Sequence, residues 1–434
     1  MKLRGLWLGV LLLAATVSRA QTDVLVSHYD AARTGQNLNE PTLTVPNLSA
    51  TTFGKVYAFA LDGYTYTQPL YKSNLTLPGL GTFNVVFAAT EHGSVYALDA
   101  DSATPLWQRS FINPAAGLTT RTTNPALEDI VPEVSITSTP VIDAASGTLY
   151  VVAETVQSGS PALFWLHALD ITTGADKVPP VSLQASAGSG AGFHVDAPTS
   201  EQRPGLFLVN GVVYVGLGSS GDSFPWVGWL LGYNATTLAQ VSVFCTSGAG
   251  AQGAGVWGSG EAPAVDASGN IFFSTGNGYF SSGSNAWADT FLKLKTAGGL
   301  SVLDYFAPFN VAALGLADLD VAAAGIVLLP DAAGSAAHPH LLVGSGKDGE
   351  IYLIDRDNMG HFNGSYNTPN SNVVQWIPGQ IGTVPVDPTA MPMPYAGNSF
   401  TTPAYWQNHV YFCGAKDVCK AFTLANGLLS TTAT

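Results

Sequence analysis

The chain has 434 residues, 46% of them hydrophobic and only 11% charged, so it is long enough to bury one large core or several small ones. A net charge of −14 without any basic cluster argues against a nucleic-acid-binding protein and against an anionic membrane surface as a partner. The 47 glycines and 26 prolines are spread between short apolar runs, which predicts an all-β protein.

The N-terminus has the pattern of a secretory signal peptide. Two basic residues precede an apolar run over residues 6–17, and small residues end the segment at Ala20. The run is too short to span a bilayer, which takes about 20 apolar residues, and no later stretch is a better candidate for a transmembrane segment. We therefore predict that residues 1–20 are removed and that the mature chain is periplasmic or secreted.

The body of the chain repeats one outline of short strands and polar turns. The clearest unit is NVVFAATEHGSVYALDADSATPLWQRSF, residues 84–111, and a further apolar strand precedes each unit. About four strands per repeat is the composition of a propeller blade. Equivalent positions lie 60 to 71 residues apart, at Asp99, Asp170, Asn234, Lys295, Asp355 and Thr423.

We therefore predict a β-propeller of four-stranded blades, in which six blades are legible and the full count runs from six to eight. Residues 21–52 form a lead-in, and residues 53–434 form a single propeller domain whose C-terminal end is compatible with missing blades. Within that domain, FGKVYAFAL, residues 53–61, is a candidate for the outer strand of the last blade, which would close the ring.

Three cysteines are present, and none belongs to a Cys-x-x-Cys-His haem motif. Cys413 and Cys419 flank GAKDV, a pattern typical of a β-hairpin. In an oxidising compartment they either form a cross-strand disulfide or stay as two thiols, and the sequence leaves both open. Cys245 is interpreted as a small buried apolar residue.

The repeat unit VYALDA…W resembles the quinoprotein repeat, the blade motif of the pyrroloquinoline quinone (PQQ)-dependent alcohol dehydrogenases. The resemblance covers nearly all of the mature chain, although only Trp107 stands where the family has its blade-docking tryptophan. Non-catalytic propellers share the repeat, including the scaffold lipoprotein of the outer-membrane protein assembly machinery.

Two functions follow from this resemblance. The first is a PQQ- and Ca²⁺-dependent dehydrogenase of an alcohol or a sugar that passes electrons to a separate acceptor. The second is a non-catalytic scaffold that binds a protein or a polysaccharide on the propeller face.

Local matches imply where the cofactor and the metal would bind. IFFSTGNGYF resembles the segment whose Asn ligates calcium, which makes Asn277 a candidate metal ligand. GSSGDSF resembles the stretch with the acidic calcium ligand and places Asp222 where the family has Glu. VWGSGEAPAVD resembles the stretch with the Trp under the quinone ring, hence Trp257, and GSGKDGEIYLIDR resembles the segment that contacts the quinone carbonyls, hence Lys347.

The catalytic base implied by the resemblance is Asp320 in GLADLDV, which stands 43 residues after Asn277 and 27 before Lys347. These residue types suit the chemistry. Ca²⁺ takes oxygen ligands from carboxylates and amides, and an indole offers a stacking surface. A lysine stabilises negative charge that develops on a quinone oxygen, and an aspartate can accept a hydroxyl proton.

The chain differs from the family in several places, and each assigned residue also has an alternative, purely structural interpretation. It has no adjacent Cys-Cys pair, no Arg in residues 131–141, and two extra residues between the candidate Trp and Asn. The alternatives are turn positions for Asn277, Asp222 and Lys347, core packing for Trp257, and a solvated loop for Asp318 and Asp320.

Overall fold

The computed structural model describes residues 22–40, 42–44, 46–187, 193–223, 225–248, 251–382 and 398–434. The predicted signal peptide lies outside these residues. The α-helix in the described part has six residues, Val311–Leu316, and the described helices include none long and apolar enough to cross a membrane.

Six antiparallel sheets follow one another along the chain, and each contains the four strands of one predicted repeat. We number the sheets as blades 1 to 6. Blade 1 has strands Leu70–Leu77, Gly81–Ala89, Ser94–Asp99 and Pro105–Ser110, and blade 2 has Val141–Asp143, Thr148–Gln157, Ala162–Asp170 and Val181–Ser182. Blade 3 has Phe207–Val209, Val212–Ser219, Trp229–Asn234 and Gln240–Cys245, and blade 4 has Ala264–Val265, Ile271–Ser274, Phe291–Lys295 and Ser301–Ala307. Blade 5 has Val327–Leu328, Leu341–Ser345, Ile351–Asp355 and Gln375–Ile377, and blade 6 has Ala404–Trp406, His409–Cys413, Cys419–Ala425 and Leu428–Leu429.

Shorter elements extend this frame. Strands Leu118–Thr119, Ser200–Glu201 and His361–Phe362 add to blades 2, 3 and 4. Two-stranded ribbons pair Arg121–Thr122 with Glu133–Val134, Ser186–Ala187 with Phe193–His194, and Phe280–Ser281 with Ala286–Trp287. Single 3₁₀ turns lie at Pro114–Ala116, Gly258–Gly260, Ser282–Ser284 and Asp331–Ala333.

The core consists of apolar layers between consecutive blades. Because side chains alternate across a strand, Val151 and Ala153 of blade 2 face blade 1, whereas Tyr150 and Val152 face blade 3. Five such clusters join blade 1 to blade 2 and so on to blade 6. Each fully buried aliphatic side chain contributes about 1.5–3 kcal/mol, so these layers are the main source of stability.

Trp107 links the first two blades, as its place in the repeat predicts. Its Nε1 donates a hydrogen bond to the Ile171 carbonyl at 3.0 Å. Its ring lies against Gly174, where a Cβ would stand 2.7 Å from the indole and where φ is +71°. Glycine at that position therefore permits both the turn and the close approach of the ring.

The lead-in segment crosses the inner strands of the ring. Val24 pairs with Tyr71 of blade 1, and four carbonyls of the segment accept hydrogen bonds from the inner strands of four more blades. These pairs are Leu25 with Ile142, Ala31 with Val265, Ala32 with Leu328, and Thr34 with Tyr405. The segment thus ties together blades 1, 2, 4, 5 and 6.

The hypothesis that residues 53–61 form the outer strand of the last blade is wrong. These residues form no strand; Tyr57 donates a hydrogen bond to the Ala100 carbonyl, and Phe59 packs edge-on against Tyr96, both in blade 1. The physical reason is that Leu428–Leu429 already pairs at the outer position of blade 6.

The two cysteines of the C-terminal hairpin form a disulfide. Cys413 and Cys419 are directly opposite each other on antiparallel strands, with their Cα atoms 4.1 Å apart. Of the two alternatives left by the sequence, the structure therefore has the cross-strand bond, which closes the hairpin of blade 6. Cys245 is free and half-buried.

Candidate functional site

A cavity of about 570 Å³ lies where loops from several blades converge. Four of the five residues predicted from the sequence line it, namely Asp222, Trp257, Asp320 and Lys347. The fifth, Asn277, is joined to this cavity because its backbone N–H donates to the Asp320 carboxylate at 2.5 Å. Residues that are far apart in the chain are thus brought to one place.

The fold explains this convergence. In blades 3, 4 and 5 the second strands are Val212–Ser219, Ile271–Ser274 and Leu341–Ser345. Each of these strands ends two or three residues before Asp222, Asn277 or Lys347. Because equivalent strands of successive blades run in the same direction, their ends meet on one face of the ring.

Lys347 is held between two carboxylates. Its Nζ is 2.9 Å from Asp318 Oδ1 and 2.5 Å from Asp320 Oδ2. The Asn277 side-chain amide donates to the same Asp318 oxygen at 3.1 Å. The Lys347 backbone N–H also donates to the Asp320 carbonyl at 2.9 Å, which fixes the lysine loop against the acidic loop.

Left-handed backbone conformations occur at two aspartates of the cavity wall, Asp222 and Asp318, and at the buried Asp289. The φ angles of Asp222, Asp289 and Asp318 are 49°, 46° and 54°. A non-glycine residue rarely adopts this region, although Asp tolerates it better than most, and such conformations concentrate at functional sites. Positive φ angles also occur at turns far from the cavity, such as those at Asn74 and Asn210, so they describe these loops without assigning them a function.

The electrostatics reflect burial and the short distances between charges. Burial and then the neighbouring Asp320 raise the pKa of Asp318 to about 6. Burial also raises the pKa of Asp222. Burial lowers the pKa of Lys347, but Asp320 and Asp318 outweigh it and raise that pKa above its usual value. At neutral pH the lysine is a permanent cation inside an acidic pocket.

The Trp257 indole packs closely against three glycines. A Cβ on Gly218 would stand 2.7 Å from the indole, one on Gly255 2.9 Å, and one on Gly276 2.4 Å. The Arg203 guanidinium carbon lies over the indole, 5.2 Å from the ring centroid. The ring is therefore held flat, beside a cation, at the wall of the cavity.

The donor set fits a hard cation. Asn277 Oδ1 is buried and has no hydrogen-bond partner among the described residues, so it is available as a neutral oxygen ligand. In the same part of the chain, no three Asp, Glu, His or Cys side chains are close enough to hold a metal ion by themselves. A cation here therefore needs the amide oxygen of Asn277 as well as a carboxylate such as Asp222.

The surroundings also fit a flat anionic quinone. Trp257 supplies an aromatic surface, while Lys347 and Arg203 supply positive charge at the same cavity. Arg203 is only weakly paired, because its Nη1 lies 3.4 Å from an Asp129 oxygen and Asp129 is 72% exposed.

Two of these residues were not among the sequence-based assignments. Asp318 was interpreted as a solvated loop acid, although Asp-x-Asp places two carboxylates on one short loop. Arg203 lies in the loop between strands Ser200–Glu201 and Phe207–Val209. Its place over Trp257 depends on a tertiary contact for which the sequence has no local signal.

A second cavity, of about 780 Å³, adjoins the first. The two share Asp222 and Asp318, and Asn277 lines the second. The rest of its wall is mostly apolar and includes Trp226, Tyr279, Phe280, Val311, Leu316 and Phe362.

Three buried glutamates lie on the inner side of blades 1 to 3. Glu91, Glu154 and Glu201 are each at most 2% exposed, and burial raises their pKa values to about 8, 8 and 7. Glu154 Oε1 is 2.5 Å from the Arg121 guanidinium. An arginine therefore does lie in this early part of the ring, ten residues before the stretch where the sequence shows none.

Comparison with known proteins supports the fold. No protein-family model matches the chain, and no curated protein matches it. Among solved structures, the quinohemoprotein alcohol dehydrogenase of Comamonas testosteroni aligns with a TM-score of 0.57 at 14% identity, over 94% of this chain and 60% of its own. The chain has the fold of this dehydrogenase.

Two further structures agree. A quinohemoprotein alcohol dehydrogenase of Pseudomonas putida HK5 aligns with a TM-score of 0.54 at 14% identity, over 94% of this chain and 59% of its own. A europium-containing methanol dehydrogenase aligns with a TM-score of 0.60 at 14% identity, over 93% and 70%. The predicted all-β propeller of quinoprotein type is thereby confirmed, and this chain spans about 60% of the length of the first two proteins.

Proposed function

We propose that the central cavity binds PQQ together with a hard cation and that the chain oxidises an alcohol or a sugar. The single observation that carries this proposal is the convergence of Asp222, Trp257, Asn277, Asp320 and Lys347 on one site. A propeller that only used its outer face for binding would have no need to gather these residue types. The oxidation is proposed for an exported chain, in line with the signal-peptide pattern.

Each residue has a role in this proposal. Asp222 and the orphaned Asn277 oxygen hold the cation, which is Ca²⁺ in the sequence-based hypothesis. Trp257 supports the quinone ring, and Lys347 stabilises negative charge on the quinone oxygens. When bound, PQQ would accept the hydrogen and the electron pair from the carbinol carbon. In this proposal the electrons then leave to a separate acceptor.

The base is assigned to the carboxylate pair Asp318 and Asp320. The resemblance points to Asp320, which contacts Lys347 at 2.5 Å. Asp318 lines both cavities, and its pKa of about 6 suits a proton acceptor that works near neutral pH. We assign the substrate-facing position to Asp318, and the proton of the alcohol hydroxyl passes to this pair as the carbonyl forms.

The experiment that tests the proposal is a PQQ titration of the purified mature chain. Quenching of indole fluorescence is followed without metal, with Ca²⁺, and with La³⁺, because a europium-containing dehydrogenase shares the fold. We expect metal-dependent binding that Asn277→Ala weakens by about tenfold or more, the loss of roughly one good ligand. A Gly283→Ala control should bind normally, because nothing lies within 4 Å of that position.

The outcomes separate the two functions left open by the sequence. Metal-dependent binding followed by dye reduction with an alcohol or a sugar supports the enzyme. Absence of PQQ binding under all three metal conditions contradicts the proposal and leaves the scaffold that binds a protein or a polysaccharide on its face.

A further inference from the structure

The second cavity extends the proposed site with an apolar compartment. One end of it is formed by Asp222, Asn277 and Asp318, the polar groups of the site. Most of the remaining wall comes from apolar side chains of the ribbon at Phe280 and the helix that ends at Leu316, together with Gln252 and Tyr279. The cavity therefore combines the polar groups of the site with a wall that is mostly apolar.

The apolar wall is formed by elements that already pack on one another. The Phe280 ring lies 5.2 Å from the Phe362 ring and 6.2 Å from the Tyr305 ring. Gly315 in the helix approaches the ribbon so closely that a Cβ there would stand 2.8 Å from the Gly278 carbonyl. These contacts hold the ribbon, the helix and Phe362 together as one wall of the cavity.

The chemistry of the wall disfavours a sugar, one of the two substrate classes left open above. A sugar carries a hydroxyl on nearly every carbon, and each hydroxyl that enters an apolar compartment without a partner is penalised. Beyond the polar groups of the site, the wall has polar side-chain atoms on Gln252, Tyr279 and Trp226, whereas Phe280, Val311, Leu316 and Phe362 have none. A molecule with one hydroxyl and a hydrocarbon body satisfies both ends of the cavity at once.

The size of the cavity points the same way. A volume of about 780 Å³ is within the range of sites that hold drug-sized molecules and is far larger than methanol or ethanol requires. A hydrocarbon body of several carbons or an aromatic ring would displace water from this wall, and burial of apolar surface would provide the affinity.

We propose that the substrate is an apolar alcohol with a medium-length alkyl chain or an aromatic ring. Its hydroxyl lies at Asp318 and Asn277, and its body lies against Tyr279, Leu316 and Phe362. This proposal rests on the proposed function for the oxidation step, whereas the binding of the alcohol to the compartment can be measured without the cofactor.

The test compares glucose, ethanol, 1-butanol, 1-hexanol and cinnamyl alcohol as ligands of the full chain. Binding is measured by calorimetry and by saturation-transfer NMR, first without PQQ and then with PQQ and metal. Because each buried methylene is worth about 0.8 kcal/mol, affinity should rise roughly fourfold per methylene from ethanol towards 1-hexanol. Glucose should bind more weakly than 1-hexanol.

Leu316→Gln and Tyr279→Ser test the wall. Both side chains are exposed, 78% and 60%, so their replacement does not disturb the core. Each variant should weaken the binding of 1-hexanol about fivefold or more, which corresponds to the loss of one apolar contact surface. The affinity for ethanol should stay within about twofold of the wild-type value. Leu303→Gln is the matched control, because Leu303 is 51% exposed and lies on the outer strand of blade 4. This change should alter the affinity for neither alcohol.

Each result has a distinct meaning. If the affinity does not rise from ethanol to 1-hexanol, or if glucose binds more tightly than 1-hexanol, the inference is overturned even if PQQ binds. Equal losses for ethanol and 1-hexanol in Leu316→Gln also overturn it, since the wall would then not contact the hydrocarbon. A rising series in a chain that fails to bind PQQ supports the apolar site and contradicts the proposed dehydrogenase. A rising series with PQQ binding and faster dye reduction by 1-hexanol than by ethanol supports both.

Discussion

Gly276 has no side chain, and the space that a side chain would occupy is filled by the two groups beside it. A Cβ there would stand 2.4 Å from Asp320 Oδ1 and 2.4 Å from Trp257 Nε1. Its backbone is not in the left-handed region, so alanine is excluded by space alone. We expect Gly276→Ala to fold, to cost about 1–3 kcal/mol of unfolding free energy, and to displace the indole and the carboxylate.

The measurement for Gly276→Ala is PQQ affinity by fluorescence beside urea unfolding. Affinity should fall by about tenfold or more, which is the scale expected when a stacking surface is displaced. Gly283→Ala, where a Cβ meets open space, should change neither quantity. Unaltered PQQ affinity in Gly276→Ala would mean that Trp257 and Asp320 do not form the binding surface.

Glu91 gives a prediction for pH. Its Oε2 accepts a hydrogen bond from the Ser135 backbone N–H at 2.9 Å, while Oε1 is buried without a partner among the described residues. Burial raises its pKa from 4.5 to about 8. Between these values the unfolded chain releases a proton that the folded chain keeps. Stability therefore falls as the pH rises from about 5 to about 8, by up to about 4 kcal/mol from this group.

Glu91→Gln should remove that contribution. The amide keeps the acceptor for Ser135 and cannot ionise, so the unfolding free energy should be higher than that of the wild type at pH 8 and similar at pH 5. Burial also raises the pKa values of Glu154 and Glu201, so the unfolding free energy of the variant should still fall with pH, but less steeply. Glu40→Gln, at an exposed glutamate, is the control. An unchanged slope in Glu91→Gln would contradict the assignment of a neutral Glu91.

At the scale of elements, the lead-in segment depends on one buried ion pair. Arg33 is 1% exposed, donates twice to the Pro263 carbonyl at 3.1 and 3.0 Å, and lies 3.6 Å from Glu261. Glu261 also accepts from Ser27 at 2.9 Å and lies 3.2 Å from the His28 ring. The pair therefore fixes the segment that crosses five blades.

Removal of the arginine alone should be costly, because it leaves the Glu261 carboxylate buried and short of a partner. We expect Arg33→Met to lower the unfolding free energy by about 3–5 kcal/mol, and the added Glu261→Gln change to restore part of it. Arg109→Met is the control, since Arg109 is 42% exposed and its pair with Asp176 should be worth about 1 kcal/mol or less. Equal losses for Arg33→Met and Arg109→Met in urea unfolding would contradict this role of the lead-in.

How far the sequence determines these elements depends on the range of the contacts. Alternation along strands such as Thr148–Gln157 and the repeat spacing identify the blades, because both are local patterns. Residues 53–61 alternate in the same way and still form no strand, since pairing depends on an outer position that Leu428–Leu429 occupies. A segment's own pattern does not show whether its partner edge is free.

The same limit applies to the site. Asn277 and Lys347 were found because the short segments around them resemble family motifs, which are local patterns in the sequence. The role of Asp318 could not be predicted, because it depends on a contact of 2.9 Å with Lys347 across 29 residues of sequence. The stacking of Arg203 on Trp257 likewise joins two blades through a tertiary contact with no local signature.

For the molecule as a whole, the five apolar layers support the blades unequally. Strands Thr148–Gln157 and Val212–Ser219 have a core cluster on each face. The sixth blade shares a cluster with the fifth, and in the described residues no cluster joins it to the first. Large apolar side chains of its hairpin are exposed, including Tyr411 at 37% and Val418 at 70%.

Blades that share a core on one face alone should open more readily, because stability in a repeat array is a sum of contacts between neighbours. We expect amide hydrogens of His409–Cys413 to exchange at least about tenfold faster than those of Val212–Ser219, a difference of about 1.4 kcal/mol in opening free energy. Hydrogen exchange with mass spectrometry measures this directly. Reduction of Cys413–Cys419 should widen the difference, because the disulfide closes that hairpin. Equal protection of the two strands would mean that the outer face of the sixth blade is covered in solution, and sedimentation at several concentrations would then show whether a second copy covers it.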